Sequence, residues 1–358
     1  MSYYDIPFSP RRKSANIFSN GESNPHTSGK TTETEHLELF KLKGFEVEIP
    51  KDAMHDAKGA HGSIYFFKQD DTELAIKTGE KTHTEIVISE KLNSPYFNKM
   101  HQNGKKSNEA IMLKARGSLN LFTVKFKNFF KNPDRCEEDK IAVFLYFCSQ
   151  IISGLKDMHT QIKGTHNDIK PDNILISQDN IFLIADFGSV LFETPKEFNN
   201  VTPSYTAPET YAPEWKSMLG IEGEIYTGRS DLWGFGATLF EFIFGEKYYS
   251  RVDPKSMGMA VGCFGFSIEI MAETLLDHEE EFPKFLEKKL EGFPDRFGQI
   301  VYDVLGSTLQ LKQSERIGLS DLMDLLNDEW QKLCQEDNPL DIVKYTKELI
   351  GEIVASSS

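Results

Sequence analysis

His166-Asn167-Asp168-Ile169-Lys170-Pro171-Asp172-Asn173-Ile174-Leu175, followed downstream by Asp186-Phe187-Gly188, is the stretch on which the reading of this chain turns. Transfer of a phosphoryl group asks little covalent chemistry of a protein. It needs a hydroxyl oriented, a divalent cation held on phosphate oxygens, and developing charge neutralised. Asp168 is a carboxylate able to accept a hydrogen bond from an attacking hydroxyl, Asn173 offers a neutral oxygen to a hard cation, and Asp186 supplies a second, charged ligand. Lys170 stands between them with a positive charge for the moving group. Taken alone, an Asp-Asn pair beside a strand is turn chemistry. The spacing beyond Asn173 changes that: Ile174-Leu175-Ile176, a turn at Gln178-Asp179-Asn180, then Ile181-Phe182-Leu183-Ile184 has the pattern of a short β-hairpin. Such a hairpin puts Asn173 and Asp186 on one side of a cleft.

With these motifs the chain resembles the eukaryotic protein kinase family, from about residue 43 to about 330. Upstream, Gly59-Ala60-His61-Gly62-Ser63-Ile64 is similar to the second half of the family's glycine-rich loop, although Ala57 replaces its first glycine. Glycines there let backbone amides approach phosphate. Leu74-Ala75-Ile76-Lys77 resembles the lysine-bearing third strand, which implies that Lys77 pairs the α- and β-phosphates. Glu85 matches the helix glutamate that holds this lysine, with Glu90 as the alternative. Lys77 and Glu85 stand closer together than the family usually allows, and Ser89 occupies a position where an apolar residue is usual.

Thr202-Pro203-Ser204-Tyr205-Thr206-Ala207-Pro208-Glu209 resembles the end of the activation segment in serine/threonine kinases. Ala212-Pro213-Glu214 repeats the tripeptide without its context and reads as insertion. Asp231 and Arg316 match family residues that are buried and structural, Arg316 pairing Glu209. Lys170 and Thr202 imply serine or threonine acceptors, and Asp172 and Glu241 fall where some members place acids that favour basic residues near the target. Asn167 replaces the family's usual arginine, which pairs with a phosphate on the activation segment. Its absence implies activity without phosphorylation there.

The fold implied is α+β and bilobal: a small β-rich N-lobe over about 43–114, a larger helical C-lobe over about 118–330, and a connection near Met112 to Gly117. Residues 1–37 are rich in Ser, Thr, Asn and Gly, a composition that buries too little surface to offset ordering entropy. Residues 331–358 form a C-terminal helical extension, with apolar residues from Leu340 to Ile353 at helical spacing. ATP and Mg²⁺ are the implied cofactors, with Gly59, Gly62, Ile64, Ala75, Lys77, Met112 and Leu175 on the nucleotide and Asn173 and Asp186 on the metal. Asp168, Lys170, Lys77 and Glu85 carry catalysis. His166 and Phe187 are packing residues.

Two other functions stay open. His-Asn-Asp also occurs in the choline kinase and aminoglycoside phosphotransferase group, which lacks the segment ending at Glu209. A pseudokinase scaffold is the second, opposed by the presence of Lys77, Asp168, Asn173 and Asp186 together. A net charge of −15 argues against nucleic acid as a partner and attracts basic protein substrates. The basic run from Lys125 to Lys131 reads as an amphipathic surface helix. The apolar run from Ile141 to Leu155, interrupted by Ser149, Gln150 and Ser153, reads as a buried helix, not a membrane insertion. Four cysteines without paired spacing, and a polar start, suit a reducing compartment, cytoplasm or nucleus.

Overall fold

The computed structural model describes residues 47–50, 53–55, 62–69, 71–192, 202–211, 216–217, 219–222, 227–248, 275, 278–335 and 338–356. Gly59, Ala57, the N-terminal arm and Ala212-Pro213-Glu214 lie outside them. The chain divides into two compact units, one ending at Lys114 and the other comprising residues 91–98 and everything from Ala115 onward.

The small unit is a twisted antiparallel sheet with one helix. Its strands are β1 (Met54–His55), β2 (Ser63–Gln69), β3 (Thr72–Thr78), β4 (His101–Asn103) and β5 (Lys106–Leu113), in the order β1-β2-β3-β5-β4. β3 lies in the middle, and its apolar run explains why: Leu74, Ala75 and Ile76 are all buried, as suits a strand covered on both faces. Helix α1 (Thr82–Lys91) follows at once.

The large unit is mainly helical. It opens with the short strand β6 (Gly117–Ser118) and α2 (Thr123–Lys131), then α3 (Glu137–Gln161). Next come β7 (Ile174–Ile176) and β8 (Phe182–Ile184), which with β6 make a small sheet in the order β6-β7-β8. Helices α4 (Arg229–Phe244), α5 (His278–Leu290), α6 (Asp295–Thr308), α7 (Leu319–Leu333) and α8 (Pro339–Ala355) complete it. By length and composition α3 is apolar enough to cross a membrane, but 89% of its apolar window is buried inside the protein. It is the core helix, packed by α7, α8 and β8. The basic run is α2, whose Phe126, Phe129 and Phe130 are buried while Lys131 is exposed and Lys125 and Lys127 are half-buried.

A cluster of phenyl rings fixes the β7/β8 hairpin to this core. Phe182 of β8 meets Phe147 of α3 at 5.0 Å between ring centres, and Phe147 stacks on Phe242 of α4 at 4.3 Å. Gln150 adds a polar tie, its side-chain oxygen accepting from the Phe182 amide at 2.8 Å. Offset and edge-on ring pairs contribute about 0.5–1.5 kcal/mol beyond the area they bury.

Candidate active site

In the small unit, Gly62 has a backbone φ of +142°, and a Cβ there would overlap the Thr78 carbonyl oxygen, so only glycine fits. Ile64 faces Lys77 across the β2/β3 ladder, and Ala75 faces Met112 across β3/β5. Ala75 and Met112 are buried. The Lys77 ammonium donates to Glu85 Oε2 at 2.7 Å, with the Glu85 side chain fully buried. Glu90 is exposed. Ser89, one turn along from Glu85, is buried, and its hydroxyl oxygen accepts from the Met100 amide at 2.9 Å. The Lys99 ammonium donates to the Ser89 carbonyl at 3.2 Å. A hydroxyl thus replaces apolar packing with a hydrogen bond that ties α1 to the residues entering β4.

In the large unit the loop carrying His166, Asn167 and Asp168 is hung from Asp231, in the first turn of α4. Asp231 Oδ2 accepts from the His166 amide and Oδ1 from the Asn167 amide, both at 2.8 Å. His159, at the end of α3, adds a contact to Oδ2 at 2.8 Å. Burial disfavours ionisation of Asp231, yet these hydrogen bonds and the charge of His159 outweigh it and hold the carboxyl below its usual range. His166 is fully buried, its Nδ1 meeting the Asp168 amide at 3.3 Å and its Nε2 the Ala185 carbonyl at 3.1 Å. Phe187 stands against His166 and Phe97.

Both oxygens of Asp168 are oriented. Lys170 donates to Oδ2 at 2.7 Å, and Asn173 donates to Oδ2 at 2.9 Å and to the Asp168 carbonyl at 2.8 Å. The Thr202 hydroxyl donates to Oδ1 at 2.8 Å while accepting from Lys170 at 2.6 Å. Thr206 steadies that residue by donating to the Thr202 carbonyl at 2.8 Å. Two acceptors for the Asn173 amide nitrogen fix the flip of the side chain, turning its Oδ1 away from Asp168. Asp186 follows β8 in a left-handed conformation, φ 62°, and Leu175 lies in β7. Since Ala185 donates to the Asn173 carbonyl at 2.9 Å, the open end of the hairpin brings the backbones bearing Asn173 and Asp186 side by side. One amide oxygen and one carboxylate suit Mg²⁺, which keeps waters and phosphate oxygens in its remaining positions.

Around this centre, Arg316 makes a two-pronged pair with Glu209, 2.9 and 3.0 Å, with both side chains wholly buried. Burial opposes the charge on Glu209, but Arg316 and a hydrogen bond from Ser230 hold its carboxyl below the usual range. Tyr205 donates to Glu241 at 2.5 Å. Burial raises the pKa values of both groups. Asn120 donates to Asp172 at 2.9 Å. Asn167, also left-handed with φ 64°, lines a cavity of about 20 Å³ with Thr206, Thr210, Ser230 and Asp231. That is room for about one ordered water.

The chain matches the model of the protein kinase domain over residues 53–331, and it belongs to that family. It is 27% identical over 90% of its length to the serine/threonine-protein kinase dst1 of Dictyostelium discoideum, covering 37% of that protein. It is 29% identical over 62% of its length to mitogen-activated protein kinase kinase kinase 17 of Arabidopsis thaliana, covering 58% of it. A shorter match, 37% identical over 26% of the chain, is to the serine/threonine-protein kinase SULU of Caenorhabditis elegans, of which it covers 9%. The chain covers less than two thirds of the length of each of these relatives.

His159, Ser89, Asn120 and the bridging position of Thr202 are site features that sequence reasoning did not assign. Thr202 carried a signal in its place in the motif ending at Glu209, and Ser89 in its departure from an apolar position; His159 and Asn120 carried none.

Proposed function

We propose that the chain is an ATP-dependent kinase that phosphorylates serine and threonine hydroxyls of proteins. The observation that carries this is the closed set around Asp168: Lys170, Asn173 and Thr202 all bonded to one carboxylate, with a threonine hydroxyl already seated on Oδ1. Asp168 accepts the hydrogen bond of an incoming hydroxyl and aims its oxygen. Lys170 offsets charge on the transferred group, and Lys77, held by Glu85, does so on the α- and β-phosphates. Ala75, Met112, Leu175, Ile64, Gly62 and Gly59 receive the nucleotide. Asn173 and Asp186 would hold Mg²⁺, which would supply neutralisation of phosphate charge. Asp172 and Glu241 favour basic residues near the acceptor, in keeping with the chain's net charge of −15. Cys136, Cys148 and Cys334 carry thiols outside any disulfide, which suits the reducing cytoplasm or nucleus.

An acceptor panel tests this: serine/threonine peptides, tyrosine peptides, choline and an aminoglycoside, each with Mg-ATP and the full chain. Label is expected in the serine/threonine peptides. Transfer to choline or the aminoglycoside with none to peptide would overturn the proposal.

A further inference from the structure

The C-terminal helix α8 lies beyond the region matched to the kinase domain, which ends at residue 331. It is fastened to the large unit along its length. Val343, Thr346, Leu349, Ile350 and Ile353 are buried at helical spacing. Its last carbonyls are capped by the Lys125 ammonium, which reaches Val354 O at 2.8 Å and Ser356 O at 2.6 Å. Toward its middle Tyr345 donates to Asp139 at 2.9 Å.

In the middle of α8 one contact differs in kind. Asn180, at the tip of the β7/β8 hairpin in a left-handed conformation with φ 59°, donates from Nδ2 to the Lys347 carbonyl at 2.8 Å. Gly351 makes the approach feasible, because a Cβ there would lie 2.9 Å from Asn180 Nδ2. The same hairpin carries Asn173 and Asp186 at its other end, about 16–20 Å away for five to six residues at about 3.3 Å each.

We propose that α8 is a clamp on this hairpin, and that Asn180 and Gly351 are positioning residues for the metal ligands Asn173 and Asp186. The proposal rests on the kinase activity proposed above. The hairpin is paired with β6 along β7 and held by Phe182 and Gln150, by the Ile184 backbone with Tyr96 and Asn98 near its open end, and at the tip by Arg116 and α8. Releasing the tip lets its open end shift, and the pair of ligands with it. Supporting contacts behind a ligand commonly alter metal affinity by about 10–100-fold, and a contact one layer further out belongs at or below the low end of that range.

The test uses the full chain with Asn180→Gly, which keeps the left-handed turn, with Gly351→Ala, and with both. Mg²⁺-dependent binding of a non-hydrolysable ATP analogue is followed by calorimetry, and peptide phosphorylation by kinetics. Each single variant is expected to raise the half-saturating Mg²⁺ concentration roughly threefold to tenfold. Peptide KM should stay unchanged, and the double variant should be no worse than either single one, because both remove one contact. Gly351→Ala separates positioning from stability, since alanine is the better helix former and should hold or raise the melting temperature while Mg²⁺ affinity falls. Glu352→Gln, which removes the exposed pair with Arg135 on the same helix, should leave Mg²⁺ dependence as it was. Unchanged Mg²⁺ dependence in Asn180→Gly and Gly351→Ala would overturn the clamp. A wild-type chain that binds Mg-nucleotide yet transfers nothing would instead remove the kinase activity, and calorimetry would still decide the clamp.

Discussion

Replacing Thr202 by valine removes one hydroxyl and keeps a side chain of nearly the same shape. In the wild type that hydroxyl receives a bond of 2.6 Å from Lys170 and gives one of 2.8 Å to Asp168. Hydrogen bonds to charged groups contribute about 1.5–3 kcal/mol each. The sum overstates the effect, because Lys170 and Asp168 still meet directly at 2.7 Å and Asn173 still holds Oδ2. About 3 kcal/mol of lost transition-state stabilisation is a reasonable bound, which lowers kcat roughly 100-fold. Thr202→Ser retains the hydroxyl and should stay within about threefold of wild type on the same bookkeeping. Steady-state kinetics on a serine peptide with saturating Mg-ATP read both variants, with melting temperatures as a check on folding. A Thr202→Val enzyme retaining most of its kcat, or a serine variant as impaired as the valine one, would refute the role given to this hydroxyl.

Arg316→Leu leaves Glu209 charged and buried, which should cost about 3–5 kcal/mol and lower the melting temperature by roughly 10 °C; replacing Glu209 by leucine as well should recover part of the loss. Because the carboxyls of Glu209 and Asp231 are held below their unfolded values, their contribution is present above the carboxylate range and lost as pH falls through it. Melting temperatures should therefore drop as pH falls below about 5, with Glu241, raised by burial, working weakly in the opposite sense. Glu85→Gln should reduce kcat/KM sharply while Glu90→Gln leaves it unchanged, since only Glu85 meets Lys77. Phosphatase treatment should leave activity intact, because Asn167 offers no cation to a phosphate and Ser204 and Thr206 are buried; loss of activity on treatment would contradict this.

Residues whose meaning depends on local spacing were legible in the sequence. Asp168, Lys170 and Asn173 share one turn, and a hairpin of fixed length brings the Asp186 backbone beside that of Asn173. Glu85 was legible as well, although its short interval from Lys77 left Glu90 in contention until the Glu85 contact and Glu90's exposure were seen. What the sequence hid are contacts whose partners lie far away along the chain. His159 reaches Asp231 across a separation of 72 residues, and nothing at either position announces the other. Asn180 looked like turn chemistry, and only the placement of α8 gives it a partner. Ser89 read as a departure from an apolar position because its acceptor role depends on a backbone amide, which has no sequence signature.

The most direct measurement is phosphate transfer from Mg-ATP to a serine peptide by the wild-type chain and by Asp168→Asn, with nucleotide binding measured on both. Asparagine keeps the size of the side chain and removes its charge, so nucleotide binding should persist while transfer falls by at least about 100-fold, the lower range for a positioned general base. Equal transfer by the two proteins, or none by a wild-type chain that binds Mg-ATP, would contradict the assignment of Asp168 as the residue that orients the acceptor hydroxyl.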